Sequence, residues 1–466
     1  MSTMTPQQNA SAALSGEGNH GLALTKGKIA KFRDQFGDRP TNKLMQNAVT
    51  QNSVQDVALD RDIIHQTDHT FSHRLDDWSV TNQKKSGRCW MFAGLNLLRV
   101  GAMKKMNLKE FEFSQNYTQF WDKFERANYF LESIIATADR DIDDRTVAWI
   151  LDHPLDDGGQ WNMFVNIVKK HGLVPKSKMP ETESSSNTAV MNSLLLYKLR
   201  EGALKLRQQA DSNPESLREI KDEILGTIHR ILCIHLGTPP SKFDWQWYDT
   251  DKKFHRKGEM SPQEFAQEYV ELDLDNYVCV VNDPRSSSPY GQTFTVEFLG
   301  NTVGGEMVKY LNVPSDVMKK IAMQTIEDGE PVWMGCDVGK MIRRDMGIWD
   351  ARLFQYDGVY DTEFSLDKSQ RLIYHQTVMT HAMLFTGVDV IDEGEEKSPR
   401  RWRVENSWGD ENGRKGFYVM NDNWFEEHMF EIAAHKKYLP QDLLAELNEE
   451  PIVLPAWDPM GSLAGR

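Results

Sequence analysis

Cysteine is scarce in this chain. Its 466 residues hold four, Cys89, Cys233, Cys279 and Cys336, which stand far apart with no pairing rhythm. That spacing excludes a disulfide framework and points to a reducing compartment, so a cytoplasmic location is expected. Long apolar runs are also missing. No stretch approaches the roughly 18 apolar residues that span a bilayer, and the start lacks the basic, apolar and small-residue succession of a secretion signal. No membrane partner is expected. Positive charge is in deficit too: 54 Lys and Arg against 69 Asp and Glu give a net charge of −15. General attraction to nucleic acid or an anionic membrane is therefore disfavoured.

The length allows about three domain-sized units, or one elaborated two-lobed enzyme. Residues 1–24 are polar and small, and read as a mobile tail. Within 25–75, helices are expected over 26–36 and 42–51, the second after the Pro40 break. His65, His69 and His73 recur at i, i+4 and i+8, the spacing of metal ligands on one helix face. No Cys or carboxylate cluster completes such a site, and polar packing is the better reading.

Residues 81–100, TNQKKSGRCWMFAGLNLLRV, organise the rest. From Trp90 onward the stretch is apolar almost all round, which suits a helix buried in the protein. Cys89 then stands at the first turn, facing unpaired backbone N–H groups and the positive end of the helix dipole. A thiol there is expected to ionise easily, with a pKa falling from ~8.5 to roughly 3.5–7.5. A lone cysteine before an apolar helix is more often a buried structural thiol. Gln83, six residues upstream, turns the balance toward a nucleophile, because its side-chain amide and the Cys89 N–H could hold the oxyanion of a tetrahedral intermediate.

Downstream, Ser114 precedes an aromatic stripe at helical spacing that reads as core, including Tyr117, Phe120 and Trp121. Asp157-Gly158-Gly159-Gln160-Trp161 is a turn before a further apolar-periodic helix, and the adjacent glycines let backbone approach backbone. Residues 195–275 read as a helical insertion, with a capping box at Ser261-Pro262-Gln263-Glu264. Beyond it the texture is strand-like. Cys233, Cys279 and Cys336 are expected to be buried thiols.

His381 opens the strand-like run HAMLFTGVDV, and 401–408 forms a second strand across an acidic turn at 391–400. Trp402, Val404 and Asn406 share a face by period two. A buried Asn amide needs a partner, and an imidazole N–H suits it.

Gln83, Cys89, Trp90, Phe92 and Ala93, with THAM around His381 and ENSWG around Asn406 and Trp408, stand as in papain-like cysteine peptidases. Within these, the chain resembles the bleomycin hydrolase and aminopeptidase C family from about residue 40 onward, including SSSNTAVMNSLL, VNDPR and VWMGCDVGK. His381 lies 292 residues after Cys89 (381 − 89), against roughly 130–150 in ordinary members. The excess is about what the helical insertion and long linkers together would occupy.

The resemblance implies an α+β, papain-like two-lobed fold with a helical hook and a C-terminal arm. The implied division is 25–75 packing on the core, 76–194 as the helical lobe, 195–275 as the hook, 276–438 as the β-rich lobe and 439–466 as the arm. It implies Cys89 as nucleophile, His381 as proton carrier, Asn406 as its orienting partner and Gln83 as oxyanion donor. Gly158, Gly159, Trp408 and Ala464 would contact substrate.

The arm, PIVLPAWDPMGSLAGR, would lie in the cleft and hold the substrate's free α-amine through its terminal carboxylate, giving aminopeptidase specificity. Ending in Gly465-Arg466, it is longer than the family pattern, and self-trimming is expected. A homohexamer, no cofactor and no metal are implied, as are small-peptide substrates with a free N-terminus and side activities on bleomycin and homocysteine thiolactone. The rival readings are an inactive ring that binds peptide or nucleic acid, and an acyl or amine transferase using the same thioester.

Overall fold

The computed structural model describes residues 23–75, 78–210, 212–393 and 396–464. The chain forms two compact units. The smaller comprises the described residues up to Arg61 with Phe354–Ser365. It consists of short helices, Lys26–Gly37, Pro40–Val49, Val54–Ala58 and Tyr356–Tyr360, joined by a bridge between Leu59 and Phe354 and by an Arg39–Asp361 ion pair. Ile29, Phe32, Phe36 and Leu44 of these helices are exposed.

The larger unit is organised by one sheet. Its central strands are Val332–Cys336, His381–Glu393, Glu396–Glu405 and Phe417–Asn421, each antiparallel to the next. Met429–His435 pairs with the outer side of Val332–Cys336, and Tyr277–Val281 with Met429–His435. Both faces are covered, so apolar residues run almost without interruption along these strands. Period two sorts them into two cores: Ala382, Leu384, Trp333 and Cys279 face the helices around Cys89–Met106, while Met383, Phe385, Met334 and Cys336 face a second core.

Against the first face lies the helix Cys89–Met106, whose residues from Cys89 to Arg99 are all buried. Beside it runs Gln115–Ala136, capped by the Ser114 hydroxyl, which accepts from the Tyr117 N–H. Tyr117, Phe120, Leu131 and Ile134 of this helix are core.

Helices Ala189–Ala210 and Leu217–Leu236 pack on Gln115–Ala136. The segment 195–275 is not helical throughout: Phe243–Tyr248 and Phe254–Met260 form an antiparallel hairpin. There Phe243 and Trp245 are buried while Asp244 and Gln246 are exposed, a period-two pattern. The capping box at Ser261 and Glu264 is formed.

The histidine spacing at 65–73 does not make a helix face, because the helix Arg61–Gln66 ends before His69 and His73 sits in a short strand. Cys279 and Cys336 are buried, whereas Cys233 is only partly so. No helix among the described residues is long and apolar enough to cross a membrane. Residues 1–22 of the tail expected over 1–24, and the expected trimming at Gly465-Arg466, lie outside the described residues.

Candidate active site

Cys89 is the first residue of its helix, and the loop before it is locked by polar bonds. Buried Arg88 reaches Glu181 with both terminal nitrogens, at 3.0 and 2.7 Å, and its Nε donates to Ser86 Oγ. Ser86 Oγ in turn donates to the Gln83 carbonyl at 2.6 Å. Gln83 is clamped from the other lobe of the sequence: its N–H donates to the Ser407 carbonyl and its Oε1 accepts from Ser407 Oγ at 2.6 Å. One proton of its amide goes to the Ser86 carbonyl. An amide NH2 has two, so a second remains for another acceptor.

Cys89 Sγ accepts from the Ala382 N–H at 3.3 Å, which fixes it against the strand that begins with His381. The easily ionised thiol expected from the helix start is not what the structure holds. Backbone N–H groups at Cys89, Trp90 and Ala382 do favour the thiolate, but complete burial outweighs them and pushes the thiol up to about 12.

His381 Nε2 contacts Asn406 Oδ1 at 3.0 Å, which leaves Nδ1 outside that bond. Burial is the main cause holding this imidazole down at about 4; the Arg344 charge adds to it and the Asn406 bond opposes it. Trp408 stacks on the His381 ring at 4.9 Å.

The strand ends at Glu405, and Asn406 carries its pairing one position further: the residue opposite it is Gly416, whose carbonyl accepts the Asn406 N–H. Asn406 is buried as expected, and its Oδ1 meets His381 Nε2. The hairpin itself is longer than expected, since strand pairing continues through Asp392 and Lys397.

Gly159 lies against the Cys89–Met106 helix and Gly158 against Ala464. A Cβ on Gly159 would stand 2.5 Å from the Trp90 ring, and one on Gly158 would stand 2.3 Å from the Ala464 carbonyl oxygen, so only glycine fits either place. The Gly159 N–H donates to that carbonyl at 3.0 Å, and Gln160 Nε2 to the Ser462 carbonyl at 2.7 Å. Further back, Arg285 pairs with Asp458, and Ile452–Leu454 adds a parallel strand beside Thr293–Val296. The segment from 452 to 464 is thereby fastened along the unit and ends its described course beside Gly159.

Asp157 was not singled out from the sequence, where it reads as an ordinary turn residue. Its carboxylate takes an ion pair from buried Lys123 and hydrogen bonds from Thr188, Asn192 and the Gly87 N–H. Its carbonyl accepts from Trp90 Nε1 at 2.7 Å. These partners hold the carboxyl well below the usual range despite its burial. It ties the glycine turn to the loop before Cys89. Ser407 was likewise passed over, although it stands inside the ENSWG string.

The structure brings Cys89, His381, Asn406, Trp408 and Gln83 to one end of the Cys89–Met106 helix, with Gly158, Gly159 and Ala464 alongside. A thiol, an imidazole with Nε2 engaged, a side-chain amide with a spare proton and backbone N–H groups thus meet in one place, the kinds of group that acyl transfer requires.

The Peptidase C1-like family profile matches residues 23–461. The chain is 44% identical to bleomycin hydrolase of Gallus gallus over 454 residues, covering 96% of this chain and 99% of that protein. It is 43% identical to aminopeptidase C of Listeria monocytogenes, with 95% and 99% covered. Among solved structures, PepW of Lactobacillus rhamnosis HN001 superposes with a TM-score of 0.92 at 42% identity, covering 95% of this chain and all of that one. With this likeness over nearly its whole length, and an α+β papain-like fold, the chain belongs to the Peptidase C1-like family, in the branch of the bleomycin hydrolases and aminopeptidases C.

Proposed function

We propose that this protein is a cysteine aminopeptidase that removes N-terminal residues from peptides through a thioester on Cys89. His381 Nδ1 accepts the Cys89 proton as sulfur attacks the scissile carbonyl carbon. The oxyanion is held by the Cys89 N–H and the Gln83 amide. The imidazolium then gives its proton to the departing amine, the C–N bond breaks, and the acyl group stays on sulfur. Water, deprotonated by His381, attacks the thioester and releases the amino acid with return of the thiol. Asn406 keeps Nε2 engaged throughout, so that Nδ1 faces the reaction.

The observation that carries this reading is the bond from the Gly159 N–H to the Ala464 carbonyl, next to Cys89 and His381. A main-chain carbonyl of the protein itself takes the donor that an extended substrate would use. A substrate with residues upstream of the scissile bond has no place there, whereas one that starts at that bond fits in front of the segment. We read 439–466 as the arm that gates the cleft, and 76–194, 195–275 and 276–438 as helical lobe, hook and β-rich lobe. Exposed Ile29, Phe32 and Phe36 support burial against other copies in a homohexamer. A cytoplasmic setting agrees with four unpaired thiols.

The test is release of 7-amino-4-methylcoumarin from leucyl-coumarin and its N-acetylated twin by wild type and Cys89→Ala. Turnover of the unblocked substrate alone, lost in Cys89→Ala, is the expected result. Cleavage of both would remove the gate, and cleavage of neither would overturn the peptidase reading.

A further inference from the structure

The His381 side of the site carries a cation that the mechanism above does not use. Arg344 is exposed, and its guanidinium carbon lies 4.2 Å from the centre of the Trp408 ring, whose other neighbour is His381 at 4.9 Å. Arg344 stands at the tip of a hairpin between strands Ile342–Arg343 and Ile348–Trp349. The tip is rigid. The Gly347 N–H donates to the Arg343 and Arg344 carbonyls, its φ is +69°, and a Cβ there would stand 2.7 Å from Gly413 Cα. Strand Ile348–Trp349 is in turn paired with Phe417–Asn421 of the main sheet.

The acid next in sequence, Asp345, is taken by Arg343 at 2.8 Å. Among the described residues no carboxylate pairs with the Arg344 guanidinium, which rests on the indole face alone. Stacking uses the flat face of a guanidinium and leaves its N–H edge free, the fork that matches a carboxylate.

The chemistry assigns the side of the site on which Arg344 stands. Gly158 and Gly159, with Ala464 on them, mark the acyl side of the cleft. The proton for the departing amine comes from His381, so the departing fragment leaves across His381 and Trp408. We propose that Arg344 is a specificity residue on this leaving-group side, binding a carboxylate of the departing fragment. The carboxylate is either the C-terminus of a dipeptide or an acidic side chain next to the scissile bond. This rests on the peptidase reading above. The Arg344 charge also reaches the His381 imidazole, where it opposes protonation, which agrees with its closeness to the reacting groups.

The experiment compares kcat/KM for leucyl-alanine, leucyl-alaninamide, leucyl-aspartamide and leucyl-coumarin, using full-length wild type, Arg344→Gln and Arg344→Lys. Wild type should favour at least one carboxylate substrate over leucyl-alaninamide by about tenfold, the effect of one charge-assisted bond. Arg344→Gln should erase that preference while leaving leucyl-coumarin within about twofold, and Arg344→Lys should keep part of it. Preference for leucyl-alanine identifies the terminal carboxylate, and preference for leucyl-aspartamide the side chain.

Wild type that cleaves leucyl-coumarin but treats acids and amide alike would overturn the carboxylate proposal alone. So would an equal loss on every substrate in Arg344→Gln, which would mark Arg344 as support for Trp408. Wild type inactive on leucyl-coumarin would overturn the peptidase reading, and this proposal with it.

Discussion

The Gly159 N–H donates to the Ala464 carbonyl at 3.0 Å, joining the turn beside the nucleophile to a residue near the end of the chain. The bond occupies a backbone donor in a cleft where Cys89 has no exposed surface. A chain ending at Gly461 loses this bond and the one from Gln160 to Ser462. Such a variant should cleave N-acetylated leucyl-coumarin, which the full chain leaves intact. Its Cys89 should also react with iodoacetamide at least about tenfold faster, since access and thiolate fraction set the rate. Alkylation followed by mass spectrometry reads this directly.

Gln83 is held at both ends of its amide, by Ser407 Oγ on Oε1 and by the Ser86 carbonyl on Nε2. Replacement by Ala removes the proposed oxyanion donor, for which a fall in kcat of about 10²–10³ is expected with little change in KM. Ser407→Ala leaves the donor present but unclamped and should cost less, roughly tenfold. Steady-state kinetics on leucyl-coumarin separates the two, and equal losses would place Gln83 outside the oxyanion site.

The parts of the site that were legible in the sequence are those fixed by local pattern or by motif. The helix beginning at Cys89 follows from its unbroken apolar run, and the pairing of His381 with Asn406 from two matched strings. What was illegible depends on residues distant along the chain. The helix start alone argues for an easily ionised Cys89, yet burial under remote segments reverses the shift. The register that sets His381 against Asn406 is equally invisible locally, since it comes from the pairing of Leu384 with Glu405 across the hairpin. Asp157 gathers partners from Gly87, Lys123, Thr188 and Asn192, and no local signal marks an aspartate before two glycines as a junction.

That junction makes Asp157→Ala a sharp test. Lys123, 1% exposed, would be left buried with an unpaired charge, a change that typically costs about 3–5 kcal/mol. Thr188 and Asn192 would lose an acceptor, and the glycine turn its tie to Gly87. The expected outcome is a clear fall in the denaturant midpoint, together with weaker activity on leucyl-coumarin in the molecules that remain folded. Lys123→Met in the same background should recover part of the stability, because it removes the stranded charge. Urea unfolding of the single and double variants measures both effects.

Glu431 supplies a pH dependence whose sign is fixed. It is buried in the strand Met429–His435, its Oε1 has no hydrogen-bond partner, and burial pushes its carboxyl up to about 8 from the usual 4.5. Between those values the folded protein keeps a proton that the unfolded chain releases, so stability falls as pH rises through this window and levels off above it. Glutamine has the shape of the protonated acid and no proton to lose. Glu431→Gln should therefore gain on wild type by roughly 1–4 kcal/mol between about pH 5 and about pH 8, each full proton being worth about 1.4 kcal/mol per pH unit. Buried His381 and His428 titrate the opposite way, but they are common to both proteins and cancel in the difference. Denaturant unfolding of the two proteins at each pH measures it, and a difference that stays flat would mean that Glu431 is ionised in the fold.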